Sequence, residues 1–182
     1  MRNSYYIMRH GTTCYQTVRR NRVYPRDGRD FPGLTESGKK LVFETAQKVK
    51  ELSIEIIYSS DFRRARETSE IVARVASVDK IIFSPKLRDI DLGIYHDRPK
   101  EDFYKDFSEF PWLSKPKGGE SLSEVKERMV KFLNDIDKKH KDNNILIVSH
   151  GEPLLLLEAE VKGIEARDKS DYIQPGELRK LK

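Results

Sequence analysis

The sequence contains one cysteine, no long apolar run and no low-complexity tract, and each of these absences excludes a class of protein. Cys14 is the single cysteine among 182 residues, which excludes an internal disulfide and any multi-cysteine metal site. No apolar run is long enough to cross a bilayer, and the first residues lack the basic, apolar and small-residue succession of a signal peptide. We therefore expect a cytoplasmic protein with no membrane contact.

Charge is what the sequence has in excess. Charged residues make up 36% and hydrophobic residues 37% of the chain, so a heavily charged surface covers a modest core. The net charge of +5 favours anionic ligands in general, but such a small excess on so charged a chain does not indicate nucleic acid binding. Because 182 residues is the size of one ordinary domain, we expect residues 1–182 to form a single domain.

Strand-like apolar runs alternate with helical stretches along the chain, which predicts an α/β domain. Thr35 is the expected N-cap of the first helix, and Ser121 or Ser123 caps a long amphipathic helix before the last main strand. Residues 86–119 are irregular apart from one short helix near 99–107. An irregular stretch of this length inside a compact domain indicates a functional surface.

Two apolar runs end in the same way, on a histidine followed by a glycine. "SYYIMRHGTT" closes on His10, and "NNILIVSHGE" closes on His150. In α/β sheets the residues just past the carboxyl ends of the strands line the ligand crevice, so the histidines face each other if these strands are neighbours. Arg9 precedes His10, and Arg64 lies in the first turn of the helix after "YSSD", at the same rim.

Two arginines at one point indicate an anionic ligand, because they repel each other and lose hydration without one. A phosphoryl group fits best, since guanidinium groups match its oxygens in pairs. One neutral histidine can then attack phosphorus while the other, protonated, stabilises the charge that develops on the oxygens. A carboxylic acid is still needed, because an alkoxide leaving group requires a proton at neutral pH.

Five segments then show a family resemblance: "MRHGTT", "YSSDFRRARET", "LRDIDLG", "KGGES" and "VSHGE". In order and approximate spacing they resemble the histidine phosphatase superfamily, which contains the cofactor-dependent phosphoglycerate mutases. The similarity covers nearly the whole chain. It implies a single histidine phosphatase-like domain over residues 1–182, built as a three-layer α/β/α sandwich with a mostly parallel central sheet.

The resemblance also implies roles for five residues of the predicted crevice. His10 would be the phosphorylated nucleophile, with Arg9 and Arg64 binding the same phosphate. His150 would be the electrostatic partner of His10. Gly151 would leave its backbone amide open to the phosphate.

The proton donor is where this sequence departs from the family. The donor usually lies four residues before the glycine of "LRDIDLG", which is Asp89, but the family most often has glutamate there. Asp89 is one methylene shorter, so Asp91 remains a competitor. Gln16 stands where an asparagine is common and still offers an amide to the phosphate. The gap between the donor segment and "GGES" is short, which resembles the phosphatase branch.

These features predict a phosphomonoester hydrolase of the histidine acid phosphatase type that acts on a small phosphorylated metabolite. We expect no metal or organic cofactor, because two arginines at the site oppose a cation, and an assembly of one or two copies. Two alternatives stay open: a cofactor-dependent phosphoglycerate mutase, and a module that binds phosphorylated ligands without turnover.

The arginine loop, residues 18–30, follows the His10 segment and contains five arginines. Most of these are expected to be solvated, but one or two, with Arg20 and Arg22 as candidates, would select a substrate with a second anionic group. Two further histidines are given structural interpretations. His96 is expected in a surface loop, and His140 is expected as a cation that suits the dipole at a helix end.

Overall fold

The computed structural model describes residues 1–107, 112–164 and 172–181. Its centre is a five-stranded sheet in the order β3-β2-β4-β1-β5. Four strands are parallel to their neighbours, and β5 pairs antiparallel with β1. The strands are β1 Ser4–Arg9, β2 Ile56–Ser60, β3 Lys80–Ser84, β4 Asn144–Ser149 and β5 Leu178–Lys180.

Five α-helices connect these strands in the described parts of the chain. They are α1 Glu36–Lys50, α2 Arg63–Ala76, α3 Lys100–Asp106, α4 Leu122–Lys139 and α5 Gly151–Lys162. Short 3-10 turns lie at Cys14–Gln16, Pro85–Leu87 and Gly93–Tyr95. The predicted α/β fold with a mostly parallel sheet is confirmed, as is the short helix in the irregular stretch after β3.

The core has two halves, one on each face of the sheet. Tyr5 and Ile7 of β1 pack with residues of α4 and α5, whereas Met8 packs with residues of α1 and α2. Successive side chains of a strand point to opposite faces, so helices on both faces bury all of β2 and nearly all of β4. This double burial explains why the central strands read as continuous apolar runs rather than as alternating patterns.

The starts of α1 and α4 follow the expected capping chemistry. The Thr35 hydroxyl accepts a hydrogen bond from the Gly38 amide at 3.0 Å. Ser121, and not Ser123, caps α4, and the Glu124 carboxylate accepts a hydrogen bond from the Ser121 amide, which completes a capping box. None of the helices that the structure describes combines the length and the apolar character that a bilayer crossing requires.

Candidate active site

The two predicted histidines meet at the carboxyl end of the central strands. β1 and β4 are neighbours, and their register pairs Arg9 with Ser149. His10 and His150 are therefore the next residues on adjacent strands, and their ring centres lie 5.1 Å apart. The predicted neighbourhood of the two strand ends is confirmed.

His10 is held in a single neutral tautomer. Its Nδ1 lies 2.8 Å from the Gly11 carbonyl oxygen, and a carbonyl can only accept, so Nδ1 carries the proton. Burial, followed by the positive charges of Arg64 and Arg9, lowers the pKa of His10 well below its ordinary value. The lone pair is consequently on Nε2, the nitrogen that a phosphorylated histidine of this geometry would use.

Arg64 is buried at the first turn of α2 with its guanidinium between two aromatic rings. The guanidinium carbon lies 4.1 Å from the centre of the Tyr24 ring and 4.9 Å from that of Phe62. The Nε atom donates to Nδ1 of His150 at 3.2 Å. These contacts replace water around the cation and aim its remaining N–H groups into the crevice.

His150 accepts rather than donates toward Arg64. Nδ1 accepts a hydrogen bond from Arg64, so the neutral ring carries its own proton on Nε2. This Nε2 lies 2.9 Å from the Ser60 hydroxyl oxygen. Burial and then the charge of Arg64 lower the pKa of His150 well below its ordinary value. His150 was expected to be protonated, but without a bound ligand its ring is neutral, because the two guanidinium groups oppose a third cation there. Only an anion between them would favour the second proton.

The two arginines that the sequence predicted to bind phosphate have unused donors. Arg9 donates one Nη to the Ile173 carbonyl at 3.0 Å. Among the described residues, Arg9 Nε and Arg64 Nη1 are the buried side-chain polar atoms without a hydrogen-bond partner. Buried N–H groups are normally paired, and those that are not require an explanation. A tetrahedral anion that accepts from both arginines supplies one.

Gly151 starts α5 directly beside Arg9. A Cβ atom at this position would lie 3.2 Å from the guanidinium carbon of Arg9 and 3.1 Å from the Tyr172 ring. A larger residue would crowd both side chains. Glycine therefore lets the amino end of α5, which attracts anions, come close to the arginine.

The two candidate proton donors differ in their contacts. Asp89 Oδ2 lies 3.3 Å from an Nη of Arg64 and 3.7 Å from Nδ1 of His150, and its side chain is 24% exposed. Asp91 has both oxygens bound: Oδ1 accepts from the Gly93 amide at 2.8 Å, and Oδ2 accepts from Arg26 at 3.0 Å. Burial alone would raise the pKa of Asp91, but these hydrogen bonds outweigh it and lower the pKa.

A cavity of about 1030 Å³ opens over this site. Gln16, Arg20 and Arg22 line it, as the sequence predicted, together with Arg9, Arg64 and Asp89. The Gln16 oxygen accepts from the Thr13 amide at 2.8 Å, so this side chain is already anchored on the protein. Arg22 donates to the Asp97 carbonyl oxygen.

Several residues of the site carried no signal in the sequence. The Tyr24 ring covers Arg64, Thr68 binds the Gly11 amide at 3.0 Å, and Arg128 donates to the Asp89 carbonyl at 3.2 Å. Tyr24 comes from the arginine loop, where no periodicity indicates an inward side chain. Thr68 and Arg128 lie on helices, so their spacing was consistent with an approach to the site but did not require it.

The interpretations of two other histidines were wrong. The side chain of His96 is 12% exposed rather than a free surface group, and it bridges Asp91 and the Tyr24 carbonyl oxygen. His140 lies at the end of α4, but burial and the charges of Lys80 and Lys139 lower its pKa, so it is not the expected cation. Neither environment was visible in the sequence, because His96 contacts Tyr24 and His140 contacts Tyr58, residues that are distant along the chain.

No cluster of three or more histidine, cysteine or acidic side chains is arranged to hold a metal ion in residues 1–107, 112–164 and 172–181. The polar groups at the carboxyl end of the sheet instead converge as two histidines, two arginines and one carboxylate. This is the α/β fold, and the set of side chains, that the sequence predicted for a phosphoryl-transfer site.

Comparison with known proteins gives the family. Residues 5–180 match the model of the histidine phosphatase superfamily, branch 1, and the chain belongs to that superfamily. Relatives include the probable phosphoglycerate mutase GpmB of Cronobacter sakazakii, which is 34% identical over 170 residues, or 88% of this chain and 75% of that protein. The GpmB of Erwinia tasmaniensis is 29% identical over the same shares of the two chains.

Solved structures show the same fold. Bacillus stearothermophilus YhfR has a TM-score of 0.78 and 27% identity, over 90% of this chain and 82% of its own. The α-ribazole phosphatase of Shigella flexneri has a TM-score of 0.76 and 23% identity, over 96% and 88% of the two chains. A mycobacterial glucosyl-3-phosphoglycerate phosphatase also has a TM-score of 0.76, at 21% identity over 90% and 82% of the two chains.

Proposed function

We propose that this protein is a phosphomonoester hydrolase that works through a phosphohistidine on His10. The observation that carries this proposal is the pairing of a nucleophile with an anion site. His10 has its lone pair on Nε2, and the buried N–H groups without partners among the described residues, Arg9 Nε and Arg64 Nη1, belong to the two arginines whose charges act on His10. A neutral nucleophile beside two fixed cations suits attack on a phosphate dianion.

In the proposed first step, His10 Nε2 forms a bond to phosphorus as the bond to the ester oxygen breaks. Arg9, Arg64 and the Gly151 amide hold the three equatorial oxygens, where charge is distributed in the transition state. His150 contacts Arg64, and a bound dianion stabilises a second proton on the His150 ring. The leaving oxygen takes its proton from Asp89.

In the second step, the same carboxylate removes a proton from water, which attacks phosphorus and releases His10. Asp89 suits this exchange better than Asp91, because its Oδ2 lies 3.7 Å from His150 and each of its oxygens accepts from one donor, Oδ1 from the Ile90 amide and Oδ2 from Arg64. Asp91 accepts from the Gly93 amide and from the Arg26 guanidinium, and these contacts favour the ionised form. We therefore assign the acid and base role to Asp89 and the loop contacts to Asp91.

The test is phosphate release from a panel of phosphomonoesters, with EDTA present throughout and His10→Ala beside the native protein. We expect release that EDTA does not affect and that the substitution reduces at least about 10³-fold. Acid quenching during turnover should trap phosphate on His10. Release that persists in His10→Ala, or that requires a divalent metal, would contradict the proposal.

The substrate of this hydrolase is proposed to be a small metabolite with a second anionic group. Eight arginines line the cavity. Five of them form ion pairs with carboxylates: Arg26, Arg29, Arg64, Arg88 and Arg128. Of the remaining three, Arg9 serves the phosphate, which leaves Arg20 and Arg22 without a carboxylate partner among the described residues. Uncompensated guanidinium groups on a cavity wall favour a carboxylate or a second phosphate.

Arg20→Ala and Arg22→Ala test this selection, with Arg19→Ala as the matched control. Arg19 lies in the same loop, but its guanidinium packs over Phe31 outside the cavity. We expect the first two substitutions to lower kcat/KM for doubly anionic esters by about 10-fold each and to leave esters of neutral alcohols unchanged. Equal losses for both kinds of ester, or the same loss in the control, would contradict the assignment.

A second candidate function is a phosphoglycerate mutase, which the GpmB relatives favour by name. Both functions use the same phosphohistidine and differ in the acceptor, which is water in one and a glycerate hydroxyl in the other. The test is interconversion of 2- and 3-phosphoglycerate with and without a bisphosphoglycerate primer. Interconversion that is faster than phosphate release would replace the hydrolase proposal with the mutase.

A further inference from the structure

The "KGGES" segment lies directly against the donor loop, residues 86–93, which contains Asp89. The Glu120 amide donates to the Asp91 carbonyl oxygen at 2.7 Å. A Cβ atom on Gly119 would lie only 2.5 Å from that same oxygen. Glycine is therefore required where the backbones of the two segments touch, and the contact brings the Glu120 side chain to the donor loop.

The Glu120 carboxylate and the Arg128 guanidinium form an ion pair with two points of contact. Arg128 Nε donates to Oε1 of Glu120 at 2.8 Å, and Arg128 Nη2 donates to Oε2 at 3.0 Å. The side chains of Arg128 and Glu120 are 19% and 26% exposed. A two-point contact of this kind fixes the orientation of both groups.

This pair holds the backbone of the donor loop on both sides of Asp89. Arg128 Nη1 donates to the Lys86 carbonyl oxygen at 2.9 Å, and Nη2 donates to the carbonyl oxygen of Asp89 itself at 3.2 Å. Oε2 of Glu120 accepts from the Asp91 amide at 3.0 Å. The position of the Asp89 backbone therefore depends on one ion pair that reaches three of the surrounding backbone groups.

The carboxylate of Asp89 follows its backbone closely. A single methylene group separates the two, and Oδ1 accepts from the next amide of the loop, that of Ile90, at 3.1 Å. A displacement of the donor loop therefore moves the carboxylate away from the leaving oxygen. Misplacement of a reacting group by about 1 Å can cost about 10²-fold in rate.

We propose that Glu120 and Arg128 are positioning residues that fix Asp89 at the distance that proton transfer requires. They act through the backbone of the donor loop and exchange no proton with the ester. The kinetic part of this inference rests on the proposed hydrolase and on Asp89 as its acid, whereas the attachment of the donor loop to the ion pair does not.

The kinetic test uses Arg128→Lys, which keeps the positive charge but cannot bind the carboxylate at two points and both carbonyl oxygens. We expect kcat/KM to fall about 10-fold for alkyl phosphates and less than about 2-fold for 4-nitrophenyl phosphate, whose leaving group needs no proton. Only steps up to the departure of the leaving group enter kcat/KM, so the later role of Asp89 as a base does not affect this ratio. Glu120→Gln should give the same selective loss, because an amide supplies one acceptor oxygen where the carboxylate supplies two.

Asp91→Asn should lack this selectivity. Asp91 pairs with Arg26 at 3.0 Å and so joins the donor loop to the arginine loop. The arginine loop carries the Tyr24 ring that covers Arg64. Loss of the Asp91 contact thus disturbs the phosphate site as well, which lowers kcat/KM for both esters.

Arg63→Lys is the matched control. Arg63 also pairs with a glutamate, Glu67 at 2.7 Å, and donates to a backbone carbonyl, that of Asp30 at 3.0 Å, but it does not line the cavity. Both esters should keep their native kcat/KM in this variant. The same selective loss in the control would overturn the proposal.

A double-mutant cycle tests whether Arg128 acts through Asp89. In the Asp89→Asn background, Arg128→Lys should cause no further loss for alkyl phosphates, because the group that it positions has been removed. An undiminished loss in that background would overturn the proposal. A loss that follows the charge of the ester rather than its need for a proton would also overturn it, since Arg128 would then bind substrate.

Hydrogen exchange of the Asp91 amide, followed by ¹H–¹⁵N NMR, tests the attachment without turnover. Arg128→Lys should speed this exchange by at least about 10-fold and leave the core amides of β4 unchanged, which also shows that the variant is folded. Unchanged exchange at Asp91 would overturn the proposal. If the native protein hydrolyses no ester, the proposed hydrolase fails, while the exchange result still decides whether the ion pair holds the donor loop.

Discussion

The two ends of the central strands each hold a polar cluster, and the clusters differ in how completely their hydrogen bonds are satisfied. At the amino end, Asp137 accepts from the Arg2 amide at 2.9 Å, from Asn3 at 3.1 Å and from the Tyr5 hydroxyl at 3.1 Å. At the carboxyl end, Arg9 and Arg64 retain the two buried donors without partners in the part of the chain that the structure describes.

This difference separates a cluster that supports the fold from one that is arranged for a ligand. Satisfied hydrogen bonds between buried groups stabilise the folded state, and unsatisfied donors cost free energy. A protein that keeps two unpaired guanidinium donors in one crevice loses stability there and gains affinity for an anion. Substitutions at the two ends should therefore have opposite consequences for stability and activity.

The largest effect is expected for Arg64→Met. The substitution keeps an apolar, unbranched side chain between the Tyr24 and Phe62 rings and removes the charge from the phosphate site. Removal of one such donor to the transition state costs about 3 kcal/mol, so kcat/KM should fall about 10²-fold to 10³-fold. The free energy of unfolding should stay equal or rise, because a fully buried cation is lost.

Steady-state kinetics and urea unfolding of the same preparation measure both quantities. A large loss of stability with little loss of activity would contradict the prediction and would show that Arg64 supports the fold rather than the activity. Arg63→Met is the control, since Arg63 pairs with Glu67 on the exposed side of α2.

The next-largest effect distinguishes the roles of Asp89 and Asp91, the two candidate proton donors. Asp89→Asn should lower kcat/KM for alkyl phosphates by about 10²-fold or more, because their leaving oxygen needs a proton. It should affect 4-nitrophenyl phosphate much less, since nitrophenolate leaves without protonation. Asp91→Asn should reduce both substrates by similar factors, because it loosens the loop rather than removing the proton donor. The reverse pattern would transfer the donor role to Asp91.

The sequence predicted the site residues at the carboxyl ends of the central strands better than it predicted the rest of the site. His10, His150 and Arg64 follow strands or open a helix, so the rule for parallel sheets places them at one edge. Tyr24 and His96 lie in long loops, where burial depends on contacts between distant segments. Their inward positions could not be predicted, because neither periodicity nor composition records which loops pack together.

The polar cluster around Asp137, at the amino ends of the central strands, was likewise not predicted. It offers a test of stability that matches the tests of activity above. Asp137→Ala should lower the free energy of unfolding by about 2 kcal/mol, because it removes the acceptor of the Tyr5 hydroxyl and one of the two acceptors of the Asn3 amide, which keeps the His140 carbonyl oxygen. It should leave kcat/KM unchanged. Denaturant unfolding and the phosphatase assay together check this, and a loss of activity at constant stability would contradict the division between the two ends.

The contribution of Asp137 to the free energy of unfolding depends on pH in a direction that follows from its pKa. Burial raises the pKa of Asp137, but hydrogen bonds from Arg2, Asn3 and Tyr5 outweigh it and lower the pKa. A carboxyl with a depressed pKa in the folded state stabilises the protein above its unfolded value, about 3.9, and this contribution is lost as the pH falls. The stability difference between the native protein and Asp137→Ala should therefore shrink on acidification below about pH 4.

The smallest effect is expected for His140→Gln, which removes the contact with the Tyr58 hydroxyl at 2.8 Å. The cost should be about 1 kcal/mol at about pH 8. Burial and two lysines lower the pKa of His140 in the folded protein, so the native protein binds fewer protons there than the unfolded chain and loses stability as the pH falls below about 6.5. The variant has no such loss. The difference between the two proteins should thus narrow with acidification, and a difference that widens would show that His140 is charged in the folded state.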